Sequence, residues 1–180
     1  MKETVKALFF NHTLRRWHFE AILVESGISR ERANYYLKEL LKDKFILRVK
    51  KKGKMPYYTA NRDSAKFRFE KKLYGLRMLE GSGLFEDLTS RKGIKTAILF
   101  GSFARGDWSK SSDIDLFIYG NDTQFQKELY EKKLHHEIQV FAYQNKNEIT
   151  RDLDPTVIPN IAKGFRITGE IEPFEVKIHA

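Results

Sequence analysis

The chain has 180 residues, 33 basic against 24 acidic side chains, a formal charge of +9 and no cysteine. Hydrophobic residues at 41% and aromatics at 13% can build a core, which excludes wholesale disorder. The missing thiols exclude a disulfide framework, a cysteine nucleophile and a cysteine-based zinc site, and no apolar run reaches the roughly 20 residues that span a bilayer. Met1-Lys2-Glu3-Thr4 has no apolar signal-peptide region, so a soluble, cytoplasmic protein without a membrane partner is expected. Charge divides unevenly. Residues 1–95 hold 23 Lys and Arg against 11 Asp and Glu, a net +12, whereas residues 96–180 hold 10 against 13, a net −3. That division points to two modules with different partners, the first of them suited to an anion.

In chain order, Val5, Leu8 and Phe9 give residues 3–10 a helical stripe. A second helix is expected over 17–26, with Trp17, Ala21, Ile22 and Val24 as its apolar side and Gly27 as its C-terminal cap. Ser29 suits the N-cap of a third helix over 30–41, whose core face is Ala33, Tyr36, Leu37, Leu40 and Leu41. The period then changes. Residues 45–50 and 56–61 read as two strands around the cationic turn Lys50-Lys51-Lys52-Gly53-Lys54. Three helices followed by a basic hairpin resemble a winged helix-turn-helix domain over about residues 1–62. The resemblance implies DNA binding. Arg30, Arg32, Asn34 and Tyr35, near the start of the third helix, are expected to face base edges in the major groove. Lys50, Lys51, Lys52 and Lys54 are expected to contact phosphate, adding salt-sensitive affinity. A solvated turn accounts equally well for the lysines taken alone, and winged helices also serve protein contacts. They commonly bind as dimers, so a homodimer is among the expected partners.

A helical connector is expected over 63–93. Its first helix, over 64–80, has Ser64 as cap and Phe69, Leu73 and Leu76 as stripe, and Gly75 weakens its middle. A short helix follows at Leu84–Ser90. Residues 96–100 are a buried strand that ends in Gly101-Ser102-Phe103-Ala104-Arg105-Gly106. A strand, a Gly-Ser turn and a short helix make a phosphate cradle. Gly101 permits close backbone approach, Ser102 donates its hydroxyl and caps the helix, and Arg105 adds a cation. Then comes Asp113-Ile114-Asp115. In a strand, residues two apart face the same side, about 6.6 Å apart along the chain. Asp113 and Asp115 therefore share one pocket while Ile114, Leu116 and Ile118 face the core. Paired carboxylates suit Mg²⁺, and two such ions can serve a triphosphate.

The ordered string GSFARGDWSKSSDID, with Ser112 just before Asp113, resembles the signature of the nucleotidyltransferase superfamily that includes DNA polymerase beta, above all its minimal branch. The resemblance implies an α+β protein in which a small mixed sheet flanked by helices occupies residues 94–180. It implies transfer of a nucleoside monophosphate from a nucleoside triphosphate, ATP favoured, with Mg²⁺. Gly101, Ser102, Arg105 and Ser112 would hold the nucleotide, and Asp113 and Asp115 the metal. Family members usually carry a third acid on a later strand, and the resemblance places it at Gln139. An amide cannot take a proton from a hydroxyl. Glu137 lies on the same face one pleat repeat away, so it joins Asp113 and Asp115 in the expected catalytic set. His135 and His136 face opposite sides of that strand and read as ordinary residues. Residues 151–180 either finish the sheet or cover the nucleotide. Two further readings stay open: a transcription regulator with a catalytically weak, nucleotide-sensing fold, and an antitoxin-like transferase with a protein acceptor or toxin partner.

Overall fold

The computed structural model describes residues 2–121 and 125–170. They divide into a unit of residues 1–71 and a unit of residues 72–180. Among the described residues, no helix is long and apolar enough to cross a membrane.

The first unit runs α1 (Lys2–Asn11), α2 (Phe19–Ser26), α3 (Arg30–Lys42), β1 (Ile46–Val49), β2 (Tyr57–Ala60) and the opening of α4 (Ala65–Gly81). The local signals act where the sequence places them. The Gly27 N–H donates to the Leu23 carbonyl to close α2, and Ser29 Oγ accepts from the Arg32 N–H to open α3. β1 and β2 pair antiparallel from Ile46 with Ala60 to Val49 with Tyr57. The core gathers Val5, Phe9, Phe10, Ile22, Ala33, Leu37, Leu40, Phe45 and Phe67. In it the Phe10, Phe45 and Phe67 rings meet at centroid distances of 4.9–5.5 Å.

Three expectations need correction. Trp17 lies outside α2. Its N–H donates to the Tyr58 carbonyl and its carbonyl accepts the Tyr58 N–H, both at 2.8 Å, so it bridges the free edge of β2. Pairing satisfies backbone groups that burial of Trp17 would otherwise leave unpaired. Val24 is 83% exposed, because two helical residues turn about 200° and set it opposite the buried Ile22. By the same geometry, Phe69 is 64% exposed because Phe67 is claimed by the aromatic core.

The second unit takes up the later residues of α4, then α5 (Leu84–Ser90), β3 (Ile94–Phe100), α6 (Gly101–Arg105), β4 (Ile114–Gly120), α7 (Lys127–Leu134), β5 (Ile138–Tyr143), α8 (Lys146–Asp152), α9 (Ile158–Ala162) and β6 (Phe165–Thr168). The sheet order is β5-β4-β3-β6. β4 and β5 are parallel and the other pairs antiparallel, which makes the sheet mixed. The parallel pair needs a crossover, and α7 supplies it. Of the two roles left open for residues 151–180, the described part takes the first, since β6 completes the sheet beside β3. Residues 171–180 lie outside the described residues.

Both faces of this sheet are covered. Ile114, Leu116 and Ile118 are fully buried on one side. On the other, Phe117 and Tyr119 join Ile98, Phe100, Phe141 and Tyr143 against Ile149, Leu153 and Ile161. The expected single core face is therefore two, and the aspartate row shares its side with the second. Trp108 is fully buried, with its ring stacked on Phe103 at 5.0 Å and on Tyr74 at 6.1 Å. A Cβ at Gly75 would stand 2.7 Å from the Trp108 Nε1. The glycine that weakens α4 as a helix is the one that lets the indole lie against it.

Candidate active site

Phe100 closes β3 directly opposite Asp115 in the β3–β4 register. The chain then turns through Gly101, whose φ of +65° is left-handed, into α6. A side chain is barred here twice. The backbone conformation is costly for any L-residue, and a Cβ would overlap the Asp115 carboxylate. Gly101 therefore makes room for Asp115 as much as for any ligand. Ser102 is not the cap of α6; extended Phe100 holds that position, without a side-chain cap. The Ser102 carbonyl instead accepts the Gly106 and Asp107 N–H groups at 2.9 and 3.1 Å and closes the turn. Among the described residues its hydroxyl has no partner.

Asp113 directly precedes β4 and Asp115 is its second residue, so both occupy one end of the row that continues as Phe117 and Tyr119. The parallel register sets Asp115 beside Gln139 and Ile114 beside Ile138. The Gln139 Nε2 donates to Asp113 Oδ2 at 2.7 Å. Gln139 thus stands where the third acid was expected, as a neutral donor. Glu137 precedes β5 by one residue, and its carbonyl accepts the Ile114 N–H at 2.8 Å. Its side chain is exposed and has no partner among the described residues. The structure brings Asp113, Asp115 and Gln139 together and leaves Glu137 next in line on the same face. Among the described residues, no three His, Asp or Glu side chains gather as a metal cage.

Burial pushes the Asp115 carboxyl above the usual carboxylate range, the Asp113 charge pushes the same way, and Arg105 opposes. Arg105 is mostly exposed, and its Nε donates to Asp107 Oδ2 at 3.1 Å. The donor chemistry fits a hard divalent cation through two carboxylates, with an amide at the third position.

Ser112 acts on the loop before β4. Its Oγ accepts the Ser109 N–H at 2.8 Å, and its carbonyl accepts from the His136 Nδ1 at 2.6 Å. The His136 ring also stands edge-on to Phe103 and Trp108. His136 therefore ties the residue before Asp113 to the aromatic floor, a role its ordinary look in the sequence concealed. The signal was its place just ahead of a strand whose alternation mirrors that of the aspartate strand.

In the first unit, the Arg30 Nη2 donates to both Glu20 carboxylate oxygens at 2.8 and 2.9 Å. Arg32 and Asn34 are exposed on α3. Tyr35 is exposed too, and its hydroxyl donates to Glu39 Oε1 at 3.3 Å. Lys50, Lys51, Lys52 and Lys54 are all exposed, with no ion-pair partner among the described residues.

Comparison with known proteins gives the following likenesses. A solved structure from Sulfolobus solfataricus, provisionally assigned as a nucleotidyltransferase, is 20% identical, with 52% of this chain and 86% of that chain covered and a TM-score of 0.31. None of the curated proteins matches the chain. The family model described as the nucleotidyltransferase domain matches residues 82–160, a stretch that holds the Gly101-Ser102 turn, Asp113, Asp115, Glu137 and Gln139.

Proposed function

We propose that residues 94–180 transfer a nucleoside monophosphate from a nucleoside triphosphate, ATP favoured, to an acceptor hydroxyl with Mg²⁺. In the same reading, residues 1–62 form a winged helix-turn-helix that binds DNA, and 63–93 join the two. The observation that carries the transferase reading is Asp113 and Asp115 on one sheet face, beside a glycine whose absent Cβ leaves their space open.

Gly101 lets the backbone approach a phosphate, and the unpartnered Ser102 hydroxyl donates to a phosphate oxygen. Arg105 adds positive charge at the mouth, and Ser112 and His136 hold the start of the aspartate strand in place. Asp113 and Asp115 would hold Mg²⁺, and the chemistry this ion supplies when bound is neutralisation of triphosphate charge and activation of the acceptor hydroxyl. The bond from the α-phosphorus to its bridging oxygen breaks and a bond from that phosphorus to the acceptor oxygen forms. Pyrophosphate leaves, and Glu137 takes the acceptor proton. The test is ATP labelled at the α-phosphate, mixed with Mg²⁺ and DNA, RNA, protein or small-molecule acceptors. Transfer to none of them by the folded protein overturns the reading.

Gln139 favours one second reading, a nucleotide-sensing fold with weak catalysis. Gln139→Glu separates the two. A third carboxylate is expected to raise transfer at least tenfold and to lower the Mg²⁺ concentration at half-maximal rate, because a charged oxygen binds a hard cation better than an amide. Without metal the variant is expected to melt lower than the native protein, since a carboxylate would then face Asp113 in place of the amide donor. An unchanged rate and an unchanged Mg²⁺ midpoint would remove position 139 from the site.

For DNA, each of Lys50, Lys51, Lys52 and Lys54 that neutralises a phosphate contributes about 0.9 to the slope of log affinity against log salt. The fourfold alanine variant is therefore expected to bind more weakly and with a shallower slope in a fluorescence titration. An unaltered slope would take the hairpin out of the interface.

A further inference from the structure

We propose that the first unit holds a phosphate-binding pocket between the segment entering α2 and the hairpin turn, and that it takes a phosphoryl group carried on a nucleotide. A cavity of about 390 Å³ there is lined by Arg16, His18, Lys51, Lys54, Met55 and Tyr57. Its construction follows from the Trp17 bridge. Trp17 is paired with Tyr58 and its side chain is fully buried in the core. Successive side chains of an extended segment point to opposite sides, so Arg16 and His18 both turn outward, beside β2. The Lys54 N–H donates to the Lys51 carbonyl at 3.1 Å, which sets these two lysines on one tight turn.

The lining is cationic without compensation. Among the described residues, no acidic side chain contributes to it, and Arg16, Lys51 and Lys54 have no ion-pair partner. The neighbouring Arg15 is the contrast, since it pairs with Glu25 at 3.0 Å and lies over the Trp17 ring at 3.9 Å. Arg16 instead stands 5.3 Å from the Tyr57 ring centroid, a stacking contact that leaves guanidinium N–H groups for an oxyanion. Among the described residues, His18 is held at one nitrogen. The Pro56 carbonyl is an acceptor, so Nδ1 donates to it at 3.0 Å and Nε2 is left as an acceptor for a hydroxyl or amino group of the nucleotide.

Three cations lining one cavity without a counter-charge among the described residues call for a compact, multiply charged anion. A phosphoryl group presents several acceptor oxygens and suits a guanidinium fork. The cavity falls in the range of small-ligand pockets, roughly 300–1,000 Å³, which leaves room for more than a bare phosphate. Met55 and Tyr57 offer apolar and aromatic wall for a sugar or base. The phosphoryl group belongs either to a nucleic-acid strand or to a free nucleotide. The strand form rests on the proposed DNA binding of this unit, and the free form does not.

The test uses the full chain with labelled methionine methyls and aromatic rings, followed by NMR. Inorganic phosphate, ATP without Mg²⁺ and a short DNA duplex are added separately. The Met55 methyl and the His18 and Tyr57 ring signals are expected to move with ATP or with the duplex. Arg16→Ala and Lys54→Ala are each expected to weaken that ligand at least tenfold. Lys92→Ala, the same loss of charge at an exposed site elsewhere, is expected to change it less than twofold. Movement with ATP alone assigns a free nucleotide, and movement with duplex alone assigns a strand phosphate. Duplex binding that leaves the pocket signals still and is indifferent to Arg16→Ala overturns the pocket while DNA binding survives. Pocket movement with ATP and no duplex binding supports the pocket while the DNA reading fails. Stillness with every probe, or native affinity in both folded variants, overturns the proposal.

Discussion

Replacing Asp113 and Asp115 together by asparagine is expected to lower nucleotidyl transfer at least 1,000-fold, a loss of about 4 kcal/mol of transition-state stabilisation. The variant removes both charges from the proposed metal site and leaves the shape of the strand end unchanged. An asparagine at position 113 keeps an amide oxygen that can accept from Gln139, so the β4–β5 contact survives. Folding is expected to improve slightly. Asp115 is held above the usual carboxylate range by burial first and by Asp113 second, so both influences resist its ionisation. Asparagine removes that conflict. Steady-state transfer from labelled ATP and a thermal melt measure the two effects side by side. A double variant that folds and retains more than a tenth of the native rate would remove the aspartate pair from the chemistry.

Gly101→Ala is expected to be among the most damaging single substitutions in the second unit. The left-handed backbone costs an alanine roughly 1–2 kcal/mol. Overpacking of a closed site costs typically about 1–3 kcal/mol more, and here the overlap is with the Asp115 carboxylate. Asp115 cannot step aside freely, because β4 is held between Phe100 of β3 and Gln139 of β5 at that point. A fall of about 2–5 kcal/mol in unfolding free energy is therefore expected, read as a lower denaturant midpoint. Transfer should fall with it, since any relief moves Asp115. A stable variant with a native rate would show that Gly101 is needed neither for Asp115 nor for phosphate.

The sequence carries the local rules well. Ser29 opens α3 and Gly27 closes α2 because cap chemistry depends on a few adjacent residues. The helix Leu84–Ser90 lies where the pattern places it. The alternation of Asp113-Ile114-Asp115-Leu116-Phe117 reads directly as a strand with both acids on one face. The Gly-Ser turn and its ten-residue spacing to Asp113 are likewise properties of contiguous chain. The candidate site was legible because its turn and its two acids come from neighbouring elements.

What was not legible depends on which distant segment claims a residue. Trp17 looks helical in its own stretch, and it forms a single bridge to Tyr58 because β2 has a free edge beside it. Phe67 and Phe69 are equally apolar, and only the presence of Phe10 and Phe45 decides which is buried. Gly75 reads as a flaw in α4 until Trp108 arrives from more than thirty residues away. Gln139 can be placed by alternation, yet its bond to Asp113 exists only because β4 and β5 run parallel in that register. The Arg16 and Lys54 side chains line one cavity through the Trp17–Tyr58 bridge, which no spacing encodes. The sequence by itself determined the period, the caps, the glycine turn and the aspartate pair, since each is written in residues a few positions apart. Tertiary structure alone decided the partners, because pairing and burial are settled by groups that meet only once the chain has folded.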